Sequence, residues 1–250
     1  MKVERVAVVS DIHGNVRALD EVLADITGRG IDRIVNLGDC LYGPFDPKPA
    51  ANRLLEADWP TVTGNEDRIL LEALEGHPVS RMARWTADLL GREHLDWLAG
   101  LPSMRTIEGI ARVFHGTPID EGAYLLTRPT AEGAMRPATD AEIAERLGPT
   151  DEALILCGHD HLPRVVRLPD GRTIVNPGSV GCPAYTDAHP IPHRVESRTP
   201  HARYAIVHWD GSTPSAELIT ISYDWDAAAA EADANGFPDW ASWLRTGEAS

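Results

Sequence analysis

The chain has 250 residues, 43% of them hydrophobic, enough for one large α/β domain or two small ones. A formal net charge of −15 disfavours broad contact with a nucleic-acid backbone, and no run approaches the roughly 18 apolar residues of a membrane helix, so neither is an expected partner. Cys40, Cys157 and Cys182 share no metal or redox spacing; with a strand starting almost at once and leaving no room for a signal peptide, this points to the cytoplasm.

Residues 6–9, Val-Ala-Val-Val, read as a strand buried on both faces. The strand runs into Ser10-Asp11-Ile12-His13-Gly14-Asn15. Asp11 and His13 therefore lie at its C-terminal end, where open α/β sheets keep their chemistry. Two residues apart in extended chain, they are expected to project from the same side. Residues 16–30 read as an amphipathic helix through Leu19, Val22, Leu23 and Ile26, ended by Gly28 and Gly30. Residues 31–37 are a second strand leading into Gly38-Asp39-Cys40. Strand, helix and strand at this length form a βαβ unit, so Asp39 should emerge at the same sheet edge as Asp11.

After a Pro- and Gly-rich loop, residues 50–57 read as a helix and 59–63 as a short strand ending in Gly64-Asn65-Glu66-Asp67. Residues 68–100 read as helical, broken near 76–78. Hairpins then take over, with 105–108 pairing 110–115 around Gly109. Residues 141–147 form a short helix, and 153–157 a buried strand ending in Gly158-His159-Asp160-His161. Residues 164–168 and 173–176 pair across Pro169-Asp170-Gly171, and NPGSVG follows at 176–181. Residues 182–203 show no period and read as a long loop. A last hairpin, 203–209 with 216–223 around Asp210-Gly211, precedes a helix at 225–234 and a tail carrying Trp240, Trp243 and Leu244. The expected organisation is a single α/β domain over 1–250, with 224–250 a C-terminal helical extension. Two sheets packed face to face with helices outside would accommodate both halves.

The polar strand ends are Asp11 and His13, Asp39, Asn65, His115, then His159 and His161. Each motif alone is weak, since DxH, GD and HxH recur as turns and surface pairs; their joint occurrence at successive strand ends carries the assignment. Seven N and O donors exceed one tetrahedral site and suit two ions sharing a carboxylate, about 3.5–4 Å apart. With only two aspartates, a pair of divalent ions keeps a net positive charge even with a bridging hydroxide. Such a site attracts phosphate despite an acidic protein and makes a nucleophile at neutral pH.

With these residues assembled, the chain resembles the calcineurin-like metallophosphoesterase superfamily. The pattern is DxH (Asp11, His13), GD (Gly38, Asp39), GN (Gly64, Asn65), HG (His115, Gly116) and GHxH (Gly158, His159, His161), with NPGSVG as a further match. DIHGN and GDCLYGPFDP look like the bacterial and archaeal small-phosphodiesterase branch. The resemblance implies a four-layer α/β/β/α sandwich. It implies one ion on Asp11, His13, Asp39 and His161 and a second on Asp39, Asn65, His115 and His159, with Mn or Fe ahead of Zn. Asn65 is expected to orient a phosphate as a catalytic and substrate-contacting residue, Glu66 is a candidate proton donor, and Asn15 a candidate substrate contact.

Two departures stand out. Glu66 occupies the place after GN where the family usually has histidine, and GHDH replaces the more usual GHTH, so Asp160 is expected to add charge near the ligands. Without that histidine, a phosphoanhydride, whose leaving group is weakly basic, is easier to cleave than an alkyl ester. The GN-E-D segment and the YD-x-x-AA tail at 223–228 also look like bacterial diadenosine-polyphosphate hydrolases. The expected substrate is a small phosphorylated molecule, with a dinucleoside polyphosphate as one form. The alternatives are a protein serine/threonine phosphatase, which the absence of GDxVDRG and GNHE disfavours, a phosphomonoesterase, and a binding scaffold like retromer's metallophosphoesterase-like subunit, which the full set of seven ligands disfavours. The loop 182–203 and the Trp-containing tail could close over the site or mediate pairing into a homo-oligomer, and both readings stay open.

Overall fold

The structure is a computed structural model that describes residues 4–107, 111–210 and 213–249. The expected hairpin turns at Gly109 and Gly211 lie outside the described residues. In chain order the elements begin β1 (Glu4–Val9), α1 (Val16–Gly28), β2 (Ile34–Asn36), α2 (Lys48–Ala57), α3 (Asn65–Leu74), α4 (Arg81–Leu89) and α5 (Arg92–Ala99). There follow β3 (Met104–Ile107), β4 (Ala111–Phe114), β5 (Thr127–Pro129), β6 (Met135–Pro137), α6 (Asp140–Leu147) and β7 (Leu154–Leu156). The chain continues with β8 (Arg164–Arg167), β9 (Thr173–Asn176), β10 (Ala184–Asp187), β11 (His193–Glu196), β12 (Ala202–Trp209), β13 (Ser215–Ile221), α7 (Trp225–Ala234) and α8 (Pro238–Thr246).

Side-chain alternation along the strands builds the layers. Val6 and Val8 of β1 point into a core between two sheets, where they meet Leu154 and Leu156 of β7. Ala7 and Val9 point the other way, into a core shared with α1 and the C-terminal helices. Ile155 and Cys157 turn to a third cluster under α6. The result is the α/β/β/α sandwich. One sheet has the order β13-β12-β1-β2 and the other β3-β4-β7-β9-β8. β1 and β2 are parallel, as are β4, β7 and β9, so the chain leaves all five strands at comparable ends.

Local chemistry sets the helices. Asn15 caps α1, its Oδ1 accepting from Ala18 N at 3.1 Å, and Ala18, Leu19, Val22 and Ile26 are its buried face. Thr139 and Glu142 form a capping box on α6. Three expectations need correction. The strand at 59–63 reduces to one parallel bridge, Asn36 with Thr61. The helix expected from 68 starts at Asn65, because the Asp67 carboxylate caps it by accepting from Gly64 N at 3.0 Å. The stretch 182–203 holds the hairpin β10–β11; its outward residues are polar, so it carries little apolar alternation. The β5–β6 hairpin was not expected at all; its strands are three residues each and contain prolines.

Candidate metal centre

Five of the seven expected ligands sit in left-handed backbone: Asp11 at φ +54, His13 at +52, Asp39 at +53, His159 at +69 and His161 at +53. Asp11 and His13 are therefore not in extended chain. Each loop coils as it leaves its strand, and the coil aims the side chains inward. Asp and His tolerate this region better than branched residues, but each costs about 1–3 kcal/mol unless its surroundings fix it. Asp11 N donates to Gly38 O and His13 N to Asp39 O, both at 3.0 Å, which ties the first loop to the second. The second is tied to the third by Asp67, whose buried carboxylate accepts from Asp39 N at 2.9 Å and Cys40 N at 2.8 Å. Glycine is required at position 64, where an added Cβ would collide with Asp39 Oδ1 and the Asp39 amide.

The rings are oriented by backbone carbonyls. His115 Nδ1 lies 2.8 Å from Leu37 O, and His161 Nδ1 lies 2.7 Å from Cys182 O. His13 Nδ1 lies 2.8 Å from Tyr42 O and 3.1 Å from Glu66 Oε2. A ring nitrogen this close to a carbonyl carries the proton, so when each of these rings is neutral, as a metal ligand must be, Nε2 keeps its lone pair. His159 is reversed: Nε2 meets Gly122 O at 2.9 Å, leaving Nδ1 free. Tyr124 stacks on His159 with centroids 4.7 Å apart, and its hydroxyl meets His193 Nε2 at 2.8 Å.

These free atoms converge. The ligand atoms of Asp11, His13 and Asp39 lie within 4.8 Å of one another, as do those of Asp39, His115 and His159. His13 Nε2 is 3.2 Å from His161 Nε2, which is 3.3 Å from Asp11 Oδ1. His115 Nε2 is 3.1 Å from Asp39 Oδ2. Asp39 thus belongs to both groups. Asn65 lines the same cavity, and its Oδ1 is buried without a hydrogen-bond partner, as are Asp11 Oδ1 and His115 Nε2. Buried polar atoms are rarely left so. Acceptors facing acceptors in a buried site require cations, which is the chemistry of a metal centre.

Protons can partly meet that demand. Burial disfavours a charge on His13, but Glu66, Asp39 and Asp11 outweigh it and raise the ring to about 9. His115 likewise rises to about 10, chiefly because Asp39 overcomes its burial. His159 falls to about 4 through burial and the neighbouring His115 charge. Burial is also opposed at Asp11 and Asp39, whose carboxyls are held below the usual range by His161 and His115 respectively.

Several expectations about individual residues change. Asn15 does not line the cavity: its side chain caps α1 and donates to Gly181 O at 3.2 Å and Tyr223 OH at 3.3 Å. Asp160 does not face the ligands; Thr127 Oγ1, Asn176 Nδ2 and Leu162 N donate to it. Cys182, unmarked by spacing, lies within 4.8 Å of His13 and His161, but burial keeps it a thiol that donates to Ala184 O at 3.2 Å. Tyr42, Tyr185, Trp240 and Trp243 also line the cavity, and no motif signalled them as site residues.

Residues 5–195 match the calcineurin-like phosphoesterase superfamily domain. An uncharacterised protein of Methanocaldococcus jannaschii is 27% identical over 263 residues, covering 94% of each chain. A metallophosphoesterase of Sphaerobacter thermophilus superimposes with a TM-score of 0.74 at 25% identity, over 97% of this chain and 99% of that one. A candidate diadenosine tetraphosphatase shares the fold at a TM-score of 0.52 and 18% identity, over 86% and 93%. A family match across most of the chain, on a sandwich whose strand ends gather imidazoles and carboxylates, means that this chain belongs to the calcineurin-like phosphoesterase superfamily and is a metal-dependent phosphoesterase.

Proposed function

We propose that the chain hydrolyses a phosphodiester or phosphoanhydride bond of a small molecule with two divalent ions. Asp11, His13, Asp39 and His161 would hold one ion, and Asp39, Asn65, His115 and His159 the other. The observation that carries this reading is the set of buried polar atoms with no hydrogen-bond partner, Asp11 Oδ1, Asn65 Oδ1 and His115 Nε2, grouped around a shared Asp39. Mixed imidazole and carboxylate donors suit Mn or Fe, with Zn the alternative. When bound, the pair neutralises charge on phosphoryl oxygens and lowers the pKa of a water molecule.

The remaining work falls to the chain. Glu66 lines the cavity, and its backbone N–H donates to Asp39 Oδ1 at 2.9 Å, which fixes it beside the shared carboxylate. Burial raises the Glu66 carboxyl to about 7, so it can hold a proton for a departing oxygen near neutral pH. With Oδ1 turned to an ion, Asn65 keeps its Nδ2 hydrogens for a phosphoryl oxygen. Three buried, free thiols, each pushed well up by burial, suit a cytoplasmic setting.

The test combines elemental analysis with a substrate panel in Mn²⁺: bis(p-nitrophenyl) phosphate, a dinucleoside polyphosphate and a phosphopeptide. Wild type should hold two ions and cleave at least one of the first two. Asp39→Asn should lose an ion and at least about 100-fold in turnover. Retention of both ions and full activity by Asp39→Asn rejects the shared-carboxylate site, and a wild-type protein without stoichiometric metal rejects the enzyme.

A further inference from the structure

The cavity is lined by His13, Asp39, His159 and His161 and by four rings, Tyr42, Tyr185, Trp240 and Trp243. Two of these come from α8. The Trp240 ring stands edge-on to His13 with centroids 5.6 Å apart, and Trp243 lies 5.7 Å from Trp240. Tyr185 meets His161 in a T-shaped contact at 4.6 Å. The aromatic wall therefore touches two of the imidazoles of the candidate centre. The tyrosine hydroxyls are already engaged, Tyr42 with Ser80 Oγ at 3.2 Å and Tyr185 with His159 O at 3.0 Å. What they offer a ligand is ring surface.

The charge of the lining is one-sided. Asp39, Glu66 and Asp187 line the cavity, and among the described residues no lysine or arginine does. A phosphate beyond the reach of the ions would meet carboxylates and rings, in a chain whose net charge is already −15. The volume, about 310 Å³, is at the small end of ligand cavities, which run from about 300 to 1,000 Å³.

From the ring wall, the lack of lysine and arginine among the described lining residues and the volume, we infer that the site takes a substrate with a single phosphate, the scissile one, carrying one flat uncharged aromatic group such as a nucleobase or aryl ring. This rests on the phosphoesterase reading above and narrows it to esters, away from the polyphosphate chain expected from the sequence. The aromatic group lies along Trp240 and Tyr185 while the phosphate meets the ligating side chains.

Calorimetry on the Mn²⁺-loaded protein tests this without turnover. Two pairs of ligands suffice, phenylphosphonate against methylphosphonate and AMP against ADP, with Mn²⁺ in excess so that neither nucleotide strips the site. Phenylphosphonate should bind about tenfold tighter than methylphosphonate. ADP should bind no tighter than AMP. Trp240→Leu should bring the phosphonate ratio towards one, and Asp187→Asn should favour ADP relative to AMP by a few fold. If Trp240→Leu does not fold, the wild-type ratios still decide. Equal binding of the two phosphonates, or ADP more than tenfold tighter than AMP, overturns the inference and leaves the phosphoesterase reading intact. Failure of all four ligands to bind overturns both.

Discussion

In the loop 11–13 the outer residues take φ values of +54 and +52, and in the loop 159–161 they take +69 and +53. Both loops close a strand, both point two side chains inward, and both bury their middle residue. They differ in that residue. Ile12 is fully buried in the core beneath the helices, whereas Asp160 is held by Thr127, Asn176 and Leu162. The middle residue of one loop is fixed by apolar packing and that of the other by a buried polar network. The same strained backbone can therefore be secured by either means, provided something fixes it.

The largest expected effect is at the apolar loop. Ile12→Ala should cost about 2–5 kcal/mol in a denaturant titration, from lost burial and the cavity left behind. It should also weaken metal binding by freeing Asp11 and His13. Full destabilisation with unchanged metal affinity would show that the hydrogen bonds to Gly38 and Asp39 alone hold the loop.

The loops also differ in charge. His13 is raised to about 9 and His159 lowered to about 4, so near pH 7 a metal-stripped protein carries its proton on the first. His115, raised to about 10, carries another. A folded pKa above the unfolded value stabilises fully below about 6.5 and ceases to do so as pH rises through 9–10. Ions compete with these protons. Apparent metal affinity should climb between pH 7 and 9 by up to about tenfold per pH unit for each proton released, with proton release measurable by calorimetry in two buffers. A flat profile would contradict the charged His13.

At the polar loop, Asp160→Ala should cost about 1–3 kcal/mol by stranding the Thr127 and Asn176 donors. Asp160→Asn keeps an acceptor for Asn176 and Leu162 and turns an amide donor towards the Thr127 hydroxyl, which can accept it, and should separate shape from charge. Burial raises the Asp160 carboxyl to about 7, so the folded state binds a proton the unfolded state has lost between about pH 4 and 7. Wild-type stability from this group falls as pH rises through that window. Asp160→Asn should remove the fall, as urea midpoints at pH 5 and 8 would register.

The smallest effect concerns the first loop's exit. Asn15→Ala should lose about 1 kcal/mol through the missing cap on α1, with kcat/KM kept within a few fold. A tenfold loss of kcat/KM at normal stability would restore Asn15 to the substrate.

Residue chemistry alone named the side chains at each strand end, because ligating types followed apolar runs at regular intervals. It also located β1, α1 and the β8–β9 hairpin, each with a strong period or an unambiguous turn. The β10–β11 hairpin was hidden because β11 alternates in burial without alternating in hydropathy, with His193 buried and Arg194 exposed, and β10 does not alternate in burial at all. Asn15 and Asp160 looked like site residues by their place in the motifs, yet local donors and acceptors claimed their side chains.

The sequence by itself determined the layered α/β sandwich and which donor atoms could meet, since strand period and motif order are local properties. Tertiary structure alone decided that the ligand loops coil left-handed, that Trp240 and Trp243 wall the cavity, and that among the described residues no lysine or arginine does. Those outcomes depend on which distant segments pack beside the strand ends, and nothing in the spacing of neighbouring residues records that.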